Sequence, residues 1–283
     1  KTKLAAAAFL AGACILLSGL MPGRLKVTFF DVGQGDSALI QTASGRNYLM
    51  DGGGTFQETE TGYIGKRILL PLFMHEGVTS LEQVFISHAH TDHMAGVLTL
   101  LQSFPVKSVG LPAYSGADQD FEAVIKICNE KGIEVKHYRC EDEVSLDAKT
   151  TIRFLNPNSE TPTLSDNLNN TSLCALLSYG QLQIFFTGDL ETSAEKTFFA
   201  NNPRVDCDIL KVPHHGGKNA SSESFIQYTM PETAVISVGR NSFGHPSEAV
   251  LKRLDAHGIK VYVTLENGAV IVDSDGKKYH IRT

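Results

Sequence analysis

The sequence predicts an α/β (α+β) protein in which two β-sheets pack together as a sandwich and helices cover the outer faces. From Arg24 onward, short β-branched or aromatic runs alternate with amphipathic stretches. Strands followed by helices recur in two similar halves, which favours a sandwich over a doubly wound parallel sheet. No internal repeat or low-complexity linker interrupts residues 24–283, so we expect them to form one domain.

The first half contains short apolar runs separated by Gly-rich turns, which is typical of a mixed or antiparallel sheet. Two amphipathic stretches follow these runs. The predicted strands are Leu25 to Phe30, Ser37 to Gln41, Asn47 to Met50 and Gln83 to Ile86, and the predicted helices are His93 to Phe104 and Asp118 to Lys131.

The second half has the same organisation and ends in a closing pair of strands. Its predicted strands are Thr151 to Leu155, Ser172 to Ser178, Gln181 to Phe186, Asp208 to Val212, Thr233 to Ser237, Lys260 to Val263, Ala269 to Val272 and Lys278 to Ile281. Its predicted helices are Glu191 to Asn201 and His245 to His257.

Composition excludes several classes of protein. With 42% hydrophobic residues in 283, the chain can bury a large core, which excludes a disordered tail protein. The 31 acidic and 25 basic residues give a net charge of −6, so any binding of nucleic acid must be local. The five cysteines include no CxxC motif, so neither a zinc knuckle nor a disulfide scaffold is indicated.

The N-terminal segment is apolar enough to form a membrane helix. Residues 4–21 carry no charge and, at ~1.5 Å per helical residue, could cross most of a bilayer. We expect residues 1–23 to be a signal anchor or transmembrane helix, or the last membrane helix of a longer protein. The domain at residues 24–283 would then be membrane-anchored or secreted, and extracytoplasmic.

The densest group of metal-binding residue types lies in SHAHTDHMAG, at residues 87–96. This loop follows an apolar strand and opens a helix. His88 and His90, two residues apart on an extended segment, point the same way and can share an ion. Asp92 and His93 lie at the helix start and can turn toward a second ion. The spacing therefore predicts a site for two metal ions, because polar turn residues alone do not explain three clustered histidines.

This HxHxDH pattern after an apolar strand resembles the signature of the metallo-β-lactamase superfamily. The resemblance implies an αββα sandwich with two divalent ions and a hydroxide shared between them. Nitrogen and oxygen ligands without a thiolate leave both zinc and manganese open as the metal. It also implies that Asp51, at a strand end, braces the metal-binding loop, and that Asp189, in the segment TGD, bridges both ions. One carboxylate can hold two cations roughly 3.5–4 Å apart.

One departure from this family concerns the histidine usually found between the HxHxDH loop and the bridging carboxylate. No histidine lies between His137 and His214. We expect His215 to replace it as a ligand and His214 to face the substrate as a proton donor or as a phosphate contact. The expected ligand sets are His88, His90, Asp189 and His215 for one ion, and Asp92, His93, Asp189 and His245 for the other; the expected catalytic residues are Asp92, Asp189 and His214.

Further segments resemble the C-terminal, extracytoplasmic domain of the competence DNA-uptake channel ComEC and its stand-alone relatives. They are LKVTFFDVGQGDSALI at residues 25–40, NNTSL at 169–173, LKVPHHG at 210–216 and GHP at 244–246. The resemblance covers nearly everything from residue 24 to the end. It implies a nuclease that degrades the DNA strand that is not transported.

The residues near the predicted ligands favour phosphodiester hydrolysis over lactam hydrolysis. Asn170, Ser172 and Lys211 can donate hydrogen bonds to phosphate oxygens, whereas no apolar pocket for a lactam accompanies the loop. The expected substrate is DNA, single-stranded in particular. Two alternatives stay open: a phosphodiesterase that acts on small or lipid-headgroup substrates, such as a phosphorylcholine esterase, and a non-catalytic, metal-bound module of a DNA-import assembly.

Overall fold

The computed structural model describes residues 23–54, 62–158 and 167–283. The predicted N-terminal hydrophobic helix lies outside these residues. Within the described ranges, no helix combines the length and the apolar character that a membrane span requires.

In the described part of the chain, the first sheet contains eight strands in the order β15-β14-β1-β2-β3-β4-β5-β6. Strands β3 to β6 are parallel to one another, and the remaining pairs are antiparallel. The strands are β1 (Leu25–Phe29), β2 (Ala38–Gln41), β3 (Asn47–Met50), β4 (Leu81–Phe85), β5 (Val106–Pro112), β6 (Glu134–Tyr138), β14 (Val270–Ser274) and β15 (Tyr279–Arg282).

The second sheet contains seven strands from the described residues, in the order β13-β12-β11-β10-β9-β8-β7. Its strands β10 to β13 are parallel, and β7 to β10 are antiparallel. The strands are β7 (Glu143–Ser145), β8 (Thr150–Asn156), β9 (Cys174–Tyr179), β10 (Leu182–Phe186), β11 (Ile209–Lys211), β12 (Thr233–Ile236) and β13 (Lys260–Val263).

The two sheets pack face to face over a shared apolar core. Phe29 of the first sheet meets Phe186 of the second with ring centroids 5.7 Å apart, and Phe85 meets Phe154 at the same distance. Alternate residues of each strand supply this layer, because side chains along a strand point to opposite faces. The sandwich predicted from the sequence is therefore confirmed.

Helices cover the outer face of each sheet and bury a second apolar layer there. A π-helical segment, Tyr63–Leu69, leads into α1 (Leu70–His75). The other α-helices of the described residues are α2 (Thr91–Ser103), α3 (Ala117–Asp120), α4 (Glu122–Lys131), α5 (Thr192–Asn201), α6 (Glu223–Thr229), α7 (Glu248–Ala256) and α8 (Thr264–Asn267). Among these, α1, α2 and α4 pack on the first sheet, and α5, α6 and α7 pack on the second.

Several element boundaries differ from the sequence prediction. The helix predicted from His245 begins at Glu248, because the Ser247 hydroxyl caps it by accepting a hydrogen bond from the Val250 amide. The helix predicted from Asp118 is divided into α3 and α4 at Phe121, whose backbone is not helical. The strand predicted from Ser172 starts two residues later, after a 3₁₀ turn.

Some elements were not predicted, among them β5, β6, β7 and α6. Strand β5 contains Gly110 and ends at Pro112, both of which are breaker signals in a sequence. Pairing with β4 on one side and β6 on the other overrides that local preference. Strands β5 and β6 extend the first sheet beyond β4. The loop after β4 therefore follows an interior strand of the sheet and not an edge strand.

Candidate metal centre

Five loops that follow strands converge at one end of the sandwich. Asp36 follows β1, Asp51 follows β3, and the HxHxDH loop follows β4. From the second sheet, Asp189 follows β10 and His215 follows β11. The carboxyl ends of parallel strands meet at one edge, which is where α/β folds place ligand-binding groups.

Four of these side chains form a buried cluster that fits a metal ion. One ligand atom from each of Asp36, His93, Asp189 and His215 lies within 4.8 Å of the other three. Among the described residues, no hydrogen-bond partner is found for Asp36 Oδ1, Asp189 Oδ1, His93 Nε2 or His215 Nε2. Buried polar atoms normally have partners, so these convergent nitrogens and carboxylate oxygens have the donor chemistry of a divalent-cation site.

The Asp189 carboxylate lies at the centre of the histidines. Its Oδ1 is 3.3 Å from His93 Nε2, and its Oδ2 is 3.5 Å from His215 Nε2 and 3.9 Å from His88 Nε2. The Ser172 hydroxyl accepts a hydrogen bond from the Asp189 amide at 2.9 Å and fixes the backbone there. The carboxylate therefore lies within 3.9 Å of three histidines, and its bridging of two ions stays a prediction.

His88 and His90 form a pair beside Asp189 and His93; the His88 and His93 rings have centroids 4.2 Å apart. The distance from His88 Nε2 to His90 Nδ1 is 3.0 Å, and the Ser87 hydroxyl lies 3.0 Å from His88 Nδ1. Burial lowers the pKa of His88 well below its usual value. The ring is therefore neutral at physiological pH, which is the form that binds metals.

Asp51 orients His93 through the ring nitrogen that points away from Asp189. One carboxylate oxygen of Asp51 accepts a hydrogen bond from the Ser87 amide at 2.7 Å, and the other accepts one from His93 Nδ1 at 3.0 Å. His93 Nε2 is thereby left to face Asp189. A carboxylate behind a ligand histidine fixes its tautomer and ring orientation. Asp51 itself has a left-handed backbone, with φ at 57°, and such strain is concentrated at functional sites.

His215 is held in the same manner by a backbone carbonyl. Its Nδ1 donates a hydrogen bond to the Ser237 carbonyl at 2.8 Å, so Nε2 faces the cluster. His215 Nε2 lies 3.3 Å from Asp92 Oδ2 and 3.5 Å from Asp189 Oδ2. His215 therefore groups with Asp92 and His93. The sequence-based assignment differs, because it pairs His215 with His88 and His90.

His214 and His245 lie beside the cluster. His214 Nδ1 is 3.2 Å from Glu191 Oε1, and the His214 and His245 rings have centroids 5.2 Å apart. The His245 ring is 6.4 Å from that of His215, so it is an outer neighbour of the four-residue cluster. Both His214 and His215 have φ near 51°, in the left-handed region. This tight turn directs the two neighbouring side chains to different surroundings.

The three residues predicted to contact phosphate already have polar contacts within the protein. Asn170 accepts a hydrogen bond from the Glu191 amide at 3.1 Å. The Ser172 hydroxyl is buried and donates to the Asn169 carbonyl at 2.6 Å. Lys211 is buried, and its ammonium group forms an ion pair with Asp36. Of the three, Asn170 has the most exposed side chain.

Asp36 is the cluster residue to which the sequence analysis gives no role. The signal for it is the short Gly-Gln-Gly-Asp segment after β1. A Cβ at Gly35, where φ is 134°, would lie 2.3 Å from the Asp92 carbonyl oxygen. Glycine therefore allows this loop to approach the HxHxDH loop, and the Asp36 amide donates to the same carbonyl at 3.2 Å.

Buried charges of both signs shift the pKa values in the cluster. Burial opposes ionisation of Asp189, but His215 and His93 hold the pKa of that carboxyl well below its usual range. Burial likewise opposes protonation of His215, but the carboxylates of Asp189 and Asp36 raise its pKa to about 10. Without a metal ion, the carboxylates therefore retain protons on His93 and His215, and a divalent cation would replace those protons.

The sandwich and the site define the class of protein. The model of the Metallo-beta-lactamase superfamily matches residues 30–240, so the chain belongs to this superfamily. CmlA, a β-hydroxylase whose E377D mutant has been solved, shares the fold with a TM-score of 0.56 and 11% sequence identity, over 89% of this chain and 54% of that one.

Within the superfamily, the chain is similar in sequence to proteins of bacterial competence. The chain is 30% identical to ComE operon protein 3 of Bacillus subtilis, over 87% of this chain and 32% of that protein. It is 31% identical to competence protein ComA of Neisseria gonorrhoeae, over 91% of this chain and 35% of that protein. The chain therefore spans about a third of the length of these competence relatives.

Proposed function

We propose that this protein is a metal-dependent phosphodiesterase that hydrolyses DNA. The observation that supports this most directly is the set of convergent, buried and unpartnered atoms on Asp36, His93, Asp189 and His215. Buried carboxylates are costly unless cationic groups compensate them. Lys211 and the protonated His93 and His215 do so in the metal-free protein, and divalent ions would take the place of the histidine protons. DNA as the substrate is supported by the competence relatives and by the segments shared with them.

We propose that two groups of ligands share Asp189. His88 and His90 form one group, and Asp92, His93 and His215 form the other. The contacts of Asp189 with a histidine from each group, His88 at 3.9 Å and His93 at 3.3 Å, support this division. Bound divalent ions would supply Lewis acidity, which activates water and neutralises charge on the phosphoryl oxygens.

The remaining side chains are assigned to substrate and proton transfer. We propose that His214, whose ring is partly exposed beside the cluster, donates a proton to the leaving oxygen. His245 is 5.2 Å from that ring and bounds the same space. Asn170 is the remaining candidate for a phosphate contact. Lys211 is buried and is not assigned a substrate contact; its ammonium group balances the charge of Asp36.

The test measures cleavage of single-stranded DNA, duplex DNA and bis(p-nitrophenyl) phosphate with Mn²⁺, with Zn²⁺ or with excess chelator. We expect cleavage with a divalent ion, loss of cleavage in chelator, and loss in His88→Ala. His75→Ala is the matched control, because the His75 side chain is 83% exposed and outside the cluster. A chain that cleaves none of these phosphodiesters with either ion, or that is fully active in chelator, would contradict the proposal.

Membrane attachment is a separate proposal that rests on the hydropathy of residues 4–21. The full chain should sediment with membranes, whereas residues 24–283 alone should stay in the supernatant. Recovery of the intact full chain in the supernatant would contradict it.

A further inference from the structure

A large cleft opens beside the metal centre. Its volume is about 690 Å³, within the range of about 300–1,000 Å³ that is typical of small-ligand sites. The cleft reaches the candidate ligands His90 and Asp92, so a molecule that occupies it also contacts the metal centre. Among the side chains that line it are Gln34, Tyr63, Ile68, Arg240 and Phe243.

Two aromatic rings in this cleft are exposed to solvent. The Phe243 residue is 69% exposed and Tyr63 is 51% exposed. Phe243 comes from the loop after β12 in the second sheet, and Tyr63 comes from the π-helical segment that covers the first sheet. The cleft therefore has an aromatic side chain from each half of the sandwich.

The loop that carries Phe243 is held rigidly by Asn241. The Asn241 carboxamide oxygen accepts hydrogen bonds from the amides of Phe243 and His245, at 3.0 and 3.1 Å. Its nitrogen donates to the carbonyls of Gly239 and His245, at 2.9 and 2.7 Å. The backbone at Phe243 is thus held beside the metal centre, and an aromatic side chain with two rotatable bonds loses little conformational entropy when it binds a ligand.

The charge of the cleft helps to define its ligand. Arg240 is the one arginine or lysine that the described residues contribute to the lining, and Asp31 and Asp92 oppose it. A site for duplex DNA requires a row of cations along the phosphate backbone. In sites for single strands, aromatic rings that stack on unpaired bases, at about 1–3 kcal/mol per base, supplement the basic groups that contact the backbone. With one arginine and two exposed rings, this cleft would depend mainly on stacking.

We propose that Phe243 and Tyr63 stack on an unpaired base of single-stranded nucleic acid, while Arg240 contacts the adjoining phosphate. The next phosphodiester then lies toward His90 and Asp92. This inference rests on the proposed function, because the metal centre identifies the ligand as a phosphodiester. It adds the side chains that would bind the base and its phosphate, and these would give the expected preference for single strands, since the bases of a duplex are already stacked on one another.

The test measures binding rather than cleavage. A single-stranded oligonucleotide that contains 2-aminopurine is titrated with the full chain in chelator, and its fluorescence reports stacking. We expect Phe243→Ala to abolish the quenching and to weaken binding by about 5- to 150-fold, which corresponds to the loss of one stacked base. Tyr63→Ala should act in the same direction, whereas Phe243→Trp should retain both affinity and quenching.

Two controls separate stacking from other effects. Met74→Ala removes another exposed apolar side chain, 79% exposed and outside the cleft, and should leave binding unchanged. Phe243→Leu keeps apolar area but no ring, and should resemble Phe243→Ala. The proposal is overturned if the wild-type chain does not quench the probe, if Phe243→Leu binds as wild type does, or if Phe243→Ala weakens duplex binding equally. Because no catalysis is involved, failure of the phosphodiesterase proposal is detected separately, by the cleavage assay.

Discussion

Replacement of Lys211 by methionine should strongly destabilise the metal-free protein. The Lys211 side chain is 3% exposed, and its ammonium group forms an ion pair with Asp36. It also donates to the Gly188 carbonyl at 3.0 Å and lies 3.7 Å from Asp189 Oδ1. Lys211→Met removes the ammonium group from the buried Asp36 carboxylate and leaves only the His93 and His215 rings beside it. Breaking a buried ion pair by removal of one partner typically costs about 3–5 kcal/mol. We expect a loss of this size in the free energy of unfolding at pH 7.

A surface ion pair provides the matched control. Lys107 is 65% exposed and contacts Glu82 at 2.7 Å, so Lys107→Met should cost less than about 1 kcal/mol. The double variant Lys211→Met/Asp36→Leu removes both buried charges and should recover most of the loss. Urea denaturation in chelator measures all four proteins.

The pH dependence of Lys211→Met has a definite sign. Burial raises the pKa of Asp36, and the ammonium group of Lys211 lowers it. Without Lys211 that pKa rises, so the carboxyl is neutral at acidic pH and must ionise in the core as the pH increases. The stability deficit should therefore grow from acidic to neutral pH. A deficit at pH 7 no larger than that of Lys107→Met would refute the reasoning.

Three further predictions concern the histidines and their support. The metal-free protein should lose stability as the pH rises from the usual histidine pKa through about 10, because the protonated His215 ring stabilises the fold and its pKa is raised to about 10. Thermal unfolding measures this decline, and a saturating concentration of divalent ion should remove it. Asp51→Ala should weaken metal binding by about 10- to 100-fold through misorientation of His93, and unchanged affinity in a chelator competition would contradict the contact of 3.0 Å between them. His215→Ala should lower the metal content measured by atomic emission, whereas His214→Ala should retain metal and lose turnover; equal metal content in both variants would contradict this division.

The sandwich could be predicted because its local and tertiary signals agree. Strands such as Asn47–Met50 and Lys260–Val263 are short β-rich runs between turn residues, and their predicted bounds match the structure. Strand β5 could not be predicted, because Gly110 and Pro112 oppose it locally and only its neighbours in the sheet select it. Long-range pairing of this kind leaves no signal in the run itself.

In the candidate site, too, the features that depend on local sequence could be predicted, and those that depend on long-range packing could not. Four members of the HxHxDH loop could be expected to act together, because they are adjacent in the sequence. The grouping of His215 with Asp92 and His93 depends on which strands lie side by side, and spacing along the chain does not encode that. For Asp36, the sequence offers only the neighbouring Gly35 as a sign of a functional role. The structure explains this glycine, because the loop that carries it passes close to the Asp92 carbonyl.

The most direct test of the shared metal centre is the metal content and DNA turnover of Asp189→Asn. The substitution preserves the size of the side chain but removes the charge that contacts His93 at 3.3 Å and His215 at 3.5 Å. We expect the wild-type chain to bind two divalent ions, and the variant to lose both metal and cleavage of single-stranded DNA. A variant that retains two ions and full turnover would contradict the account.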